Sequence, residues 1–320
     1  MIKIDFFDLK ISVYLHRTSF FSQGMVVGGS DANNAPTSIV ELYYPASQCT
    51  VRLHDTPVAN TNPILCLIND VVYLGIESYK ITMYTYDFTN DNWINLGLGA
   101  VSTYDHPRAG YACGDSYLCV ASDDNPECFF PGSNTWSNFN YINTIAGAES
   151  CVVLNNDILY SFGGDKTSYN NKVQYLDLIA NKWTLTAAAM PAYTAMGGCH
   201  LIPGTNQILV TIAGTSPNAC TYNTNTNSFE SCTNSQVVLS QSDVVASCGL
   251  SNQMYAFDFT TPKYIGAYAY CPSSASPWQK VALGSPITER YYFSVVSFSC
   301  SLIPAGKFPV SCNPVDYTCV

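Results

Sequence analysis

The stretch "DILYSFGG", residues 157–164, is strand-like over its first residues and then runs into Gly163-Gly164. Strand interiors disfavour glycine, which loses the most backbone entropy on ordering and offers no side chain to pack. Two glycines at a strand end therefore imply a special backbone geometry or a close approach that a Cβ would obstruct. Whether the pattern recurs decides the fold.

Beyond the glycines, "VQYLDLIANKW" (173–183) reads as a strand, a polar turn and a tryptophan. The same frame returns as "MYTYDFTNDNW" (83–93), "PECFFPGSNTW" (126–136), "ACTYNTNTNSF" (219–229) and "AYCPSSASPW" (269–278). Asp87, Asp177 and Asn223 stand six residues before the aromatic, and Asn134, Asn181 and Asn227 stand two before it. Asx side chains bond their own backbone and tolerate tight bends, so these are turn signatures.

The closing aromatics Trp93, Trp136, Trp183, Phe229 and Trp278 are 43, 47, 46 and 49 residues apart, and "ELYYPASQCTV" (41–51) fits one unit earlier, ending on Val51. Strand ends rich in glycine or small residues precede each turn: Gly28-Gly29, Leu74-Gly75, Ala121-Ser122, Gly163-Gly164 and Ala213-Gly214. Before those comes a short apolar strand holding a cysteine, as in "PILCLIND" (63–70) and "ESCVVLNND" (149–157). Four short antiparallel strands in each unit of about 45 residues predict the blades of a β-propeller.

The double glycine, the later tyrosine and the spaced tryptophan resemble the kelch repeat, most fully in residues 106–136 and 146–183. The resemblance spans roughly residues 20–300. It implies an all-β, six-bladed kelch-type propeller of the kind found in the central domain of galactose oxidase, with the aromatics wedged between blades. Unit one lacks the tryptophan, Phe229 replaces it in unit five, and units three and six lack the glycine pair. "PITERYYFSVVSFSC" (286–300) reads as a first strand without a second, and "GMVVGGS" (24–30) as a second without a first. Joining them would close the ring and remove sheet edges. Seven blades, with "KISVYL" (10–15) as an added strand, is the alternative. The expected organisation is an N-terminal segment over 1–22, one propeller over 23–300 and a cysteine-containing tail over 301–320.

Composition narrows function. The chain of 320 residues is 47% apolar but only 11% charged, with net charge −10 and no block of Lys or Arg to track phosphates, so nucleic acid is not an expected partner. No apolar run approaches the ~18 residues of a membrane span. The opening "MIKIDFFDLKISVYLHR" is broken by charges and does not read as a signal peptide. Its 14 cysteines form no C-x-x-C pair, which argues against structural zinc and for disulfides in an extracellular or luminal setting. Cys66, Cys113, Cys151, Cys199 and Cys248 share the first-strand position, and Cys312 with Cys319 is the most local candidate pair. Despite 26 asparagines there is no Asn-x-Ser/Thr glycan acceptor.

Chemistry has few candidates. His16, His54, His106 and His200 fall in different units without ligand spacing, so no metal or cofactor is expected, and the copper set of galactose oxidase is not identifiable. No sialidase-type repeat, nucleophile elbow or phosphate loop occurs. Loops leading into first strands gather at one mouth, where kelch-type domains commonly bind ligands. Register places Arg108, Asp243 and Arg290 there, with Glu149 nearby. The expectation is a non-enzymatic binding, adhesion or matrix module whose partner is another protein or copies of itself. An intracellular adaptor of the ubiquitin-ligase or actin-binding kind is the alternative, and a secreted oxidase-like or glycosidase-like enzyme a minor one.

Overall fold

The computed structural model describes residues 22–303 apart from 32, 34, 45–48, 62, 78–79, 98–109, 122–125, 141–150, 164–169, 195–197, 203–204, 212–218, 234–245, 251–252, 262–263, 271–277, 282–293 and 300–301; for the strands between 246 and 299, and at positions 22, 23, 49, 77, 151, 170, 192–194 and 233, it describes the backbone only. The described chain is all-β, a propeller with four antiparallel strands per blade. The chain order opens with β1 (Ser22–Val27), β2 (Val40–Tyr44) and β3 (Cys49–Arg52). Blade two is β4 (Ile64–Ile68), β5 (Val71–Glu77), β6 (Ile81–Asp87) and β7 (Asn92–Gly97). Blade three is β8 (Gly110–Cys113), β9 (Leu118–Ala121), β10 (Glu127–Phe130) and β11 (Thr135–Asn138). Blade four is β12 (Cys151–Asn155), β13 (Ile158–Phe162), β14 (Asn170–Asp177) and β15 (Lys182–Thr194). Blade five is β16 (Cys199–Leu201), β17 (Gln207–Thr211), β18 (Ala219–Asn223) and β19 (Ser228–Thr233). Blade six is β20 (Ala246–Leu250), β21 (Gln253–Thr261), β22 (Tyr264–Tyr270) and β23 (Trp278–Val281).

Only these five blades are continuous in sequence. The remaining four-stranded sheet is composite: β24 (Ser294–Ser299) pairs antiparallel with β1, and the order runs β24-β1-β2-β3. That pairing of the two chain ends is the one expected from the incomplete first and last units. The inner strands β24, β4, β8, β12, β16 and β20 each touch the next, and β20 touches β24, so the circuit closes. Among the described residues there is no seventh sheet, and "KISVYL" lies outside them.

Each blade is sandwiched between two others, so both faces of its sheet are buried. This explains why inner and second strands read as apolar runs such as "ILCLI" rather than as a clean alternation. On β13, Leu159 packs toward blade three while Tyr160 and Phe162 pack toward blade five. The described core is therefore a series of seams, such as Ile64, Cys66, Ile81 and Met83 against Leu118, Val120 and Phe129 between blades two and three. Each fully buried side chain of this kind contributes ~1.5–3 kcal/mol relative to exposure.

The closing aromatics sit on the outer strands and fill the seam toward the preceding blade. Trp93 packs with Met25, Leu42 and Leu53 of the composite blade, Trp136 against blade two, Trp183 against blade three and Phe229 against blade four. Trp93 is buried, whereas Trp136, Trp183 and Phe229 are half-buried, so the wedge is deepest at blade two. Trp278 begins β23, and its side chain lies outside the described set.

Turn chemistry explains the Asx spacing. Asp91, Asn134, Asn181 and Asn227, each two residues before the aromatic, adopt φ of 53°, 52°, 48° and 50°, a left-handed conformation that Asn and Asp tolerate best among residues with a Cβ. Six residues before the aromatic, Asp87 Oδ1 accepts the Thr89 N–H at 2.8 Å, Asp177 Oδ1 that of Ala180 at 2.8 Å, and Asn223 Oδ1 that of Asn225 at 2.9 Å.

The glycines have two explanations. Gly28 and Gly163 have φ of +64° and +67°, and their N–H groups donate to Ile39 O and Lys172 O, both at 2.9 Å, starting the third strand. A Cβ on Gly28 would also stand 2.9 Å from Asn60 O and 3.0 Å from Pro63 Cγ, where the connection to blade two crosses. Gly75 differs from expectation: it lies inside β5, paired with Ile64 and Met83, and leaves room for Ile81 and Ile64.

Candidate ligand-binding rim

Arg108 precedes β8, Glu149 precedes β12, Asp243 precedes β20 and Arg290 precedes β24, so each stands in a segment leading into an inner strand. All four lie outside the described residues, as do Cys312 and Cys319. The corresponding segment before β4, residues 53–63, is almost wholly described and shows how such a connection is built.

That connection crosses the seam and is tied to the β1–β2 loop at both ends. Thr56 N donates to Ser38 O at 2.8 Å, and its hydroxyl donates to Val58 O at 2.8 Å. Asn60 N donates to Thr37 O at 3.2 Å, and Gly29 N donates to Asn60 O at 2.9 Å. Thr56 and Asn60 are buried while Pro57, Val58 and Ala59 between them are exposed. A rigid frame thus presents a short exposed tip, the arrangement in which binding residues commonly occur.

The charges beside it already have partners within the same blade. Arg52 pairs with Asp55, whose other oxygen accepts the Ser38 hydroxyl at 3.1 Å. Asp31 Oδ1 accepts the N–H groups of Ala35 (2.9 Å) and Asn33 (2.8 Å), which hold its carboxyl below the usual range.

His200 is the one histidine whose environment is strongly altered among the described residues. It lies on β16, paired with Leu209, and burial lowers its imidazole pKa to about 4, so it is neutral at physiological pH. Among the described residues no group of three His, Cys, Asp or Glu is placed to hold a metal ion. Nor is any described helix long and apolar enough to cross a membrane.

The framework is covalently reinforced. Cys66–Cys113 joins the inner strands of blades two and three, Cys119–Cys128 joins β9 to β10, and Cys220–Cys232 joins β18 to β19. The latter two are directly opposite pairs in strand register. Cys199 is also disulfide-bonded. Spacing alone left all these pairings open.

Sequence reasoning missed the Thr56 and Asn60 anchors and the half-buried, desolvated His200. The first carried no repeat signal because the connections between blades differ in length and composition. His200 stands beside Cys199 in an inner strand, and that position was the one available sign of its desolvation. The chain matches no protein-family model, and no curated protein is similar to it in sequence.

Proposed function

We propose that this chain is a kelch-type propeller working outside the cell as a non-enzymatic protein-binding or adhesion module, with its contact surface at the rim bearing Arg108, Glu149, Asp243 and Arg290. The observation that carries this reading is the set of disulfides within and between blades, which suits an oxidising compartment and a rigid scaffold rather than a moving one. Two arginines in a chain with only 13 Lys and Arg would present planar forks matched to carboxylates and backbone carbonyls. Pre-organised loops reduce the entropy lost on binding.

The test is the Arg108→Ala/Arg290→Ala double variant, assayed as labelled protein for binding to intact cells and to extracellular matrix. Loss of binding with an unchanged melting curve and sedimentation coefficient supports the rim. Unchanged binding moves the functional surface elsewhere, and altered assembly with unchanged binding favours self-association through other faces.

A further inference from the structure

We propose that Cys199 is bonded to Cys151, so that a second inner-strand disulfide staples blades four and five as Cys66–Cys113 staples blades two and three. Cys199 is disulfide-bonded and packs, with Leu201, against the apolar layer shared by blades four and five. Its strand β16 touches two inner strands, β12 and β20, which carry Cys151 and Cys248.

Strand alternation chooses between them. Successive residues of a strand face opposite sides, so positions 151 and 153 share a face of β12. Val153 belongs to the layer between blades four and five, which puts position 151 on the border with β16. Cys199 is on the side of β16 that meets β12, away from β20. Cys66–Cys113 obeys the same rule: Cys66 lies in the layer between blades two and three, and Tyr111, two residues before Cys113, packs against that layer.

The depths match as well. Ile64, Gly110, Cys151 and Gly198 are equivalent rungs, opposite Gly75, Ala121, Phe162 and Thr211. Counting from them, Cys113 lies one rung beyond Cys66, and Cys199 lies one rung beyond Cys151. Forming the bond oxidises two thiols; two protons and two electrons pass to a small-molecule or protein disulfide, which becomes two thiols. This inference needs the oxidising compartment of the proposed function but not its rim, so failure of the cell-binding assay leaves it standing.

The test is disulfide mapping of the chain secreted from an oxidising host, alkylated without reduction, digested and read by mass spectrometry. The expected result is one cross-linked peptide pair containing Cys151 and Cys199 that disappears on reduction. A Cys199–Cys248 link, or alkylated Cys151, overturns the proposal. As a second measure, Cys151→Ser and Cys199→Ser each expose one new alkylatable thiol and lower the melting temperature equally, and the double variant exposes none and falls no further. Additive losses overturn the pairing, and if a variant does not fold, mapping of the unsubstituted chain decides alone.

Discussion

The indole N–H of Trp183 donates to the carbonyl oxygen of Asn140 at 2.9 Å, across the seam between blades three and four. Asn140 answers with its own N–H, which donates to Asn181 Oδ1 at 2.7 Å, and with its amide, which donates to Asn181 O at 2.8 Å. The same clasp recurs two seams earlier in the chain, between the composite blade and blade two: Trp93 Nε1 donates to His54 O at 3.3 Å, and His54 N donates to Asp91 Oδ1 at 3.0 Å. A turn that seemed purely local in sequence is also the latch to the preceding blade.

Replacing Trp183 therefore separates two contributions. Trp183→Phe keeps most of the apolar contact and loses the hydrogen bond, at a cost of ~1 kcal/mol. Trp183→Ala also opens the seam and costs about 2–4 kcal/mol, and Trp93→Ala, at a deeper site, about 3–5 kcal/mol. Urea midpoints at constant slope measure all three; equal losses for Phe and Ala at 183 would show that packing there contributes little.

Gly28→Ala is expected to destabilise by about 2–3 kcal/mol, combining the ~1–2 kcal/mol penalty of a left-handed Cβ with the clash against Asn60 O and Pro63. Gly132→Ala is the control, because a Cβ there meets nothing within 4 Å. Thermal melts of both variants check the pair, and a neutral Gly28→Ala would mean that the connection to blade two can shift aside.

His200 makes stability pH-dependent in a defined direction. Its folded pKa of about 4 lies below the ordinary 6.5, so between these values the unfolded chain binds a proton that the folded one refuses. The contribution is complete above pH 6.5, declines as pH falls toward 4 and totals on the order of 3 kcal/mol. His200→Gln removes this component of the slope. Denaturation series at pH 7.5, 5.5 and 4.5 test it, and identical slopes in both proteins would show that folding does not desolvate the imidazole.

Thiol titration of the unfolded, unreduced chain is expected to find few of the 14 cysteines reactive. Cys66, Cys113, Cys119, Cys128, Cys220 and Cys232 should all be silent. Reactivity of nearly all 14 would favour an intracellular adaptor instead.

The blades were legible because their signals are local. Asn181 marks its turn through backbone chemistry confined to a few residues, and Trp183 recurs at a fixed distance from it. The Gly28 contact with Asn60 was legible only in kind: the glycine announced a close approach, but the partner lies 32 residues on, in a connection with no repeat. Pairing of Cys119 with Cys128 depends on strand register, which cysteine spacing does not encode. For the rim, register ranked Arg108 and Arg290 together because they precede equivalent strands. Their side-chain geometry depends on connections that vary from blade to blade.

The composite blade has a mechanical consequence. Ser22 of β1 and Ser299 of β24 are register partners, so the two strands leave their shared ladder side by side at the same end of it. Tension applied through the flanking chain would load that ladder from one end and peel it apart one hydrogen-bonded pair at a time, instead of stressing every pair together. A propeller closed in this way resists heat and denaturant through all its seams, yet yields to a modest pull on its termini, opening at the composite blade while the five continuous blades stay intact.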